Sequence, residues 1–356
     1  MTFNEAEVVR DGKGKFSEKQ GTAAGITLTP TPELDTIQVG REHPLAQKYE
    51  TRNERVEVFL HEIEEQVEKL QDDEQWNRYL DAVALQPKYS FSNQMLIAIQ
   101  SRGTAELCMS AGDWKKLGRW PRKGSTGYRI QAPVFKNVEE KDAKGKVKNG
   151  PDGKPLTRRQ LVDFRAVPTF DLKQTDGEPL DMDVYPTLSE EPPAGFEEDL
   201  TGAIGEKGFA LEEADDFELG KAQGATSFER KTVLIRKGLA PAERVRTLAH
   251  ELGHITAEHG ERLDEYHTNA AHGGHGQRGA MEVEAESIAY ILMRSNGMQP
   301  TAADRSGRYI AGWASVQKDD PEVVRRAGER VAKASRELLL GREWANTHTV
   351  TVEQDS

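Results

Sequence analysis

The chain has 356 residues, 36% of them hydrophobic and 30% charged, a length that suits about two ordinary domains better than one core. It holds no apolar run near the ~18 residues of a membrane span, and its first residues, "MTFNEAEVVRDGKGKF", lack the apolar stretch of a secretory signal, so a soluble, cytoplasmic protein without membrane contact is expected. Cys108, the one cysteine, excludes an internal disulfide and a thiolate-only metal site, while a net charge of −12 argues against a protein that coats DNA over its whole surface and leaves room for a local basic patch.

Residues 1–48 are rich in Gly, Thr, Pro and charge and read as a flexible leader. Val56, Phe59, Leu60, Ile63, Val67 and Leu70 then recur at three- and four-residue spacing, which predicts an amphipathic helix. Trp76, Leu80 and Val83 predict a second, ending near Pro87, and "YSFSNQMLIAIQSRG" a third, stopping at Gly103. "GYRIQAPVFK" and "LVDFRAVPTFDL" alternate like strands, with a polar, Lys- and Gly-rich hairpin loop protruding between them. Proline and acids cluster at "YPTLSEEPPAG", a boundary. Beyond it "AGFEEDLTGAIGEKG" reads as a helix and "KTVLIR" as a short strand, the candidate edge for aligning an extended substrate. Pro241 and Glu243 suit the first turn of the next helix. Further helices are expected from about Ala280 to Ser295 and along the stripe Val323, Val324, Ala327, Val331, Ala334 and Leu338, before a polar tail.

The helix opened by Pro241 carries "TLAHELGHIT". Residues four apart on a helix differ by only ~40° in direction, so His250 and His254 project from one face and can share an ion. Glu251, ~100° round from His250, is placed as a general base acting on water at that ion rather than as a further ligand. Zinc needs a third protein ligand and an open fourth position. A three-histidine pattern fails, because Ala257 and Gly260 stand where it requires glycine and histidine. His259 is offset by one and would need the helix to end and turn back, and His267, His272 and His275 lie in a Gly-rich loop. Glu282, Glu284 and Glu286 alternate with apolar residues on a later helix, where Ala285 and Ala289 leave room for close packing; spacing leaves the choice among these open.

"HELGH" followed by "EVEAESIA" resembles the glutamate-zincin metallopeptidases, whose second helix supplies the third ligand through its first acid. That resemblance implies Glu282 as ligand and Glu286 as the carboxylate orienting a ligand histidine, with Glu284 the least suited of the three. Upstream, "YSFSNQMLIAIQSRGTAELCMSAGDWKKLGRWPRKGSTGYRIQAPVF" and "VPTFDLKQT" resemble the N-terminal domain of ArdC-type antirestriction proteins, a half that the ImmA/IrrE-like peptidases lack. The implied fold class is α+β, with an N-terminal helical and β domain binding single-stranded DNA (49–185), a small zincin-like metallopeptidase domain with its C-terminal helix (186–340), and a tail (341–356). The implied cofactor is one catalytic Zn²⁺, and the implied activity is that of a zinc metalloendopeptidase on a protein substrate that the sequence does not name. A non-catalytic protein that shields incoming DNA, with structural zinc, is the alternative.

The residues themselves add a basic island. Between Lys88 and Lys136 stand nine lysines and arginines against two acids, a local +7 that leaves −19 for the rest. Such an island suits phosphate, and Tyr89, Phe91, Trp114, Trp120, Tyr128 and Phe135 within it are candidates for stacking on unpaired bases. The expected DNA-binding residues are Tyr89, Asn93, Gln94, Trp114, Lys115, Lys116, Arg119, Arg122, Lys123 and Arg129. The residue stabilising the oxyanion is open among His259, His272, His275 and Tyr290.

Overall fold

Apolar spacing lays down three helices first, α1 (Arg52–Lys69), α2 (Asp73–Leu85) and α3 (Phe91–Ser101). The computed structural model describes residues 52–70, 73–142, 144–178, 180, 190–262, 278–298, 321–340 and 342–344. The leader, most of the tail and His267, His272 and His275 lie outside the described residues. Ser90 starts α3 by accepting from the Asn93 amide, and Arg102, in a left-handed conformation, ends it.

After α3 the chain forms β1 (Cys108–Met109), the short α4 (Ala111–Lys116), β2 (Arg119–Pro121), the long pair β3 (Tyr128–Glu139) and β4 (Thr157–Asp171), and β5 (Thr175–Gly177). β4 lies between β1 and β3, antiparallel to both, and β2 pairs with β5. The predicted loop between β3 and β4 is more ordered than its composition implies. The ladder runs out to Glu139 opposite Thr157, and two further bridges, Lys141 with Val147 and Asn149 with Pro155, build its tip.

The second half holds α5 (Phe196–Glu206), β6 (Ala210–Ala214), α6 (Asp216–Leu219), β7 (Gly224–Ser227), β8 (Thr232–Arg236), α7 (Pro241–Thr256), α8 (Arg278–Ser295) and α9 (Pro321–Leu339). β8 sits between β6, parallel to it, and β7, antiparallel. "KTVLIR" is therefore the central strand. Val233 and Ile235, on the face of β8 turned to the core, are fully buried, and the edges of the sheet fall to β6 and β7. The architecture is α+β.

One apolar core joins both halves of the chain: Phe59, Trp76 and Leu80 from the first helices meet Leu248, Leu252, Ile288, Leu292 and Val331 from the last. Polar contacts fix the arrangement. Trp76 Nε1 donates to Ser287 Oγ (3.0 Å), Tyr79 Oη to the Gly328 carbonyl (2.7 Å), and Tyr290 Oη and Arg294 Nε to Asp81 (each 3.0 Å). Burying apolar surface on both sides of α8 holds that helix in place for the site it carries.

Candidate metal centre and basic surface

Proline at the first position and an apolar stripe of Val245, Leu248, Leu252 and Ile255 make α7 a helix with one face in the core. α7 and α8 pack tightly together at Gly253. A Cβ there would lie 2.7 Å from the Ala285 carbonyl oxygen and 3.0 Å from its Cα, so the glycine inside "HELGH" is what lets the two helices meet. The meeting brings His250 and His254 opposite the glutamates of α8.

The donor atoms converge. His250 Nε2 and His254 Nε2 are 3.0 Å apart, and Glu282 Oε2 lies 3.4 Å from the first and 3.7 Å from the second. Donors held at about 2.0–2.1 Å in a tetrahedral shell stand about 3.3 Å from one another, so the three atoms fit an ion of that kind, and among the described residues these are the group that could hold one. Glu282 is half exposed, leaving an approach from solvent. Burial opposes ionisation of Glu282, but the two imidazoles outweigh it and hold its carboxyl far below the usual range. Burial also opposes a charge on His250, and there the carboxylates of Glu282, Glu286 and Glu251 prevail, pushing it up to about 10.

Behind each histidine stands a different support. His250 Nδ1 is 2.8 Å from Glu286 Oε2, a carboxylate that is itself buried. His254 Nδ1 is 2.7 Å from His259 Nδ1, and His259 Nε2 is 3.0 Å from Glu284 Oε2. The helix does end and turn back here: α7 stops at Thr256, Glu258 takes a left-handed φ of 58°, and His259 returns against His254. It arrives as a support for His254 and not as a donor facing Glu282. Arg262 and Arg330 both donate to Glu284, whose side chain is completely buried. Burial lowers His259 to about 4, against the pull of Glu284.

Glu251 is buried, and its Oε2 accepts from Thr226 Oγ1 of β7 at 2.7 Å. β7 lies so close that a Cβ on Gly224 would come 2.7 Å from Thr247 Cγ2 and 3.0 Å from Glu251 Oε1. Sequence reading missed β7, four residues with a glycine and no alternation. Of the oxyanion candidates, His259 is engaged behind His254 and Tyr290 donates to Asp81.

The residues picked for DNA separate into two sets. Tyr89, Asn93, Gln94 and Trp114 are buried and have internal tasks. Asn93 exchanges two 2.9 Å hydrogen bonds with the backbone of Gln131, Gln94 donates to the Gln86 carbonyl, Tyr89 Oη donates to the Cys108 carbonyl, and Trp114 Nε1 donates to that of Phe170. Arg119 is half-buried and spends its guanidinium on Thr175, Gly177 and Glu178. Lys115, Lys116, Arg122, Lys123 and Arg129 are exposed, and Trp120, between them in the chain, is 53% exposed.

Two family models match separate stretches of the chain. The model described as the N-terminal domain of anti-restriction factor ArdC matches residues 50–170, and that of a zincin-like metallopeptidase matches 238–330. The chain belongs to the ArdC-type family. Solved structures of the antirestriction ArdC protein from plasmid R388 resemble this ArdC-type chain. The metal-free structure is 20% identical, with 70% of this chain and 84% of that one covered and a TM-score of 0.41; the Mn(II)-bound structure is 18% identical, with 79% and 96% covered and a TM-score of 0.44. No curated protein matches the ArdC-type chain. Among its described residues no helix is long and apolar enough to cross a membrane.

Proposed function

We propose that this ArdC-type chain binds single-stranded DNA and hydrolyses peptide bonds of proteins on or near it, with one zinc ion held by His250, His254 and Glu282. The observation that carries the reading is the convergence of three donor atoms within 4.8 Å of one another beside the buried carboxylate of Glu251. When bound, the ion would polarise a substrate carbonyl and make water a better nucleophile. The chain's own groups do the rest. Glu251, one oxygen fixed by Thr226, takes the proton of the attacking water on the other and passes it to the leaving amine. β7, paired with β8 along one edge, offers its other edge to an extended peptide, whose main chain it would hold antiparallel or parallel by backbone hydrogen bonds. Glu286 and His259 hold the two imidazoles in the tautomer that points Nε2 at the ion.

The exposed cations Lys115, Lys116, Arg122, Lys123 and Arg129, with Trp120 among them, support the DNA half of the reading. Reversing Lys115 and Lys116 weakens single-strand binding and flattens its salt dependence. Glu251→Gln tests the catalytic half: metal content stays, peptide hydrolysis stops and DNA protection in cells is lost. Protection that survives the substitution would move the function to shielding of DNA, with structural zinc.

A further inference from the structure

The aromatic residues that sequence analysis offered for stacking on bases are largely inside the protein. Tyr89, Phe91, Trp114 and Tyr128 are all buried. Phe135, another of those candidates, is outside on the arm made by β3 and β4, and Phe164 of β4 is exposed with it. The pairing register sorts its side chains by face. Tyr128 with Thr169 and Ile130 with Val167 turn inward, so Arg129 with Pro168, Pro133 with Phe164, Phe135 with Leu161 and Asn137 with Arg159 share the opposite face.

That face is open. Phe135 is 42% exposed, Phe164 44% and Leu161 45%, and Arg129, Pro133, Asn137, Arg159 and Pro168 are exposed with them. The β-bulge at Val162 sits beside this group and locally bends the ribbon. Phe135 and Phe164 are diagonal neighbours across the ladder, and the Arg159 guanidinium lies over the Phe135 ring, 4.2 Å from its centre. From Lys136 to Arg159 the arm carries eight lysines and arginines against four acids.

We propose that this face of the arm is a stacking track for unpaired bases, with Phe135 and Phe164 as platforms and Arg129 and Arg159 as phosphate contacts at either end. The assignment rests on the single-strand reading above and places its aromatic contacts. Flat rings alternating with cations suit a polyanion whose bases are free to stack, because every base has a π-face and a planar guanidinium can continue the stack. An apolar protein surface docked on this face would leave the arginines and the positive arm without a counter-charge. Both rings are exposed, so removing them costs the fold little.

The test uses the full chain and a labelled 20-nucleotide oligo-dT, read by fluorescence anisotropy over a salt series. Phe135→Ala and Phe164→Ala each weaken binding about 5- to 100-fold with an unchanged salt slope, since no phosphate contact is lost. Phe135→Trp retains affinity, and its fluorescence is quenched as the oligonucleotide is added. Arg159→Gln lowers the salt slope by about 0.7. If the double Phe variant binds like the parent while reversal of Lys115 and Lys116 weakens binding, the arm assignment falls and the DNA reading stands. If the parent chain shows no affinity for the oligonucleotide, both fall. If the Phe variants change only the sedimentation coefficient, the face is a contact between copies of this chain and the assignment is overturned.

Discussion

Glu284 accepts from His259, Arg262 and Arg330, and because an ionised carboxylate can only accept, it sets the direction of every hydrogen bond behind His254. His259 must donate through Nε2, so its Nδ1 accepts from His254 Nδ1, which leaves the lone pair of His254 Nε2 free toward Glu282. His259→Leu is therefore expected to lower metal affinity about 10- to 100-fold, measured by competition with a chelator. A pH effect follows from the same residue. Its folded pKa, about 4, lies below the ordinary 6.5, so between those values the unfolded chain holds the extra proton and stability falls as pH falls. The full shift corresponds to roughly 3 kcal/mol. His250, shifted the other way, contributes fully below 6.5 and adds no slope in this window. Urea midpoints of chelator-treated protein should drop from pH 6.5 to 5, less so in His259→Asn; equal slopes would contradict the assignment. Spacing alone could not assign His259 this role, which depends on one left-handed residue, Glu258, after the helix end.

At the scale of elements, α3 explains why a polar motif looked like a binding surface. Asn93 and Gln100, seven residues and two turns apart, each exchange a pair of hydrogen bonds with the backbone of β3, at Gln131 and Arg129. The amides thereby complete the free edge of the sheet. Gln86 does the same for β1 at Glu106 and Cys108. Asn93→Leu leaves a donor and an acceptor unmatched and should cost about 2–4 kcal/mol in chemical denaturation, whereas Lys115→Glu should leave stability within about 0.5 kcal/mol while weakening DNA binding. Equal stability losses would refute the division into structural and surface residues. The long helices and the β3–β4 pair were legible because their apolar periods are sustained. β1, β2, β5, β6 and β7, of two to five residues, are too short to carry a period, and their places come from partners distant in sequence.

Over the whole molecule, the helices of the first half are packed into the same core as α7, α8 and α9, and α2 holds α8 through Trp76 and Asp81. A chain cut after residue 185 would expose Phe59, Trp76 and Leu80 to water, and it is expected to lose the cooperative thermal transition of the full chain. Composition and spacing could suggest two consecutive units; a shared core is invisible to them because contact across 200 residues leaves no local pattern. The donor pair His250 and His254 was readable from helical geometry, and the family resemblance pointed to Glu282, which the fold brings within 3.7 Å of both. The most direct measurement of the account is the metal stoichiometry and affinity of purified protein, parent against Glu282→Gln and Glu284→Gln. One zinc ion per chain, lost in Glu282→Gln and retained with weaker affinity in Glu284→Gln, is the predicted result. A parent chain that binds no divalent metal, or a Glu282→Gln chain that binds it as tightly as the parent, would contradict the account.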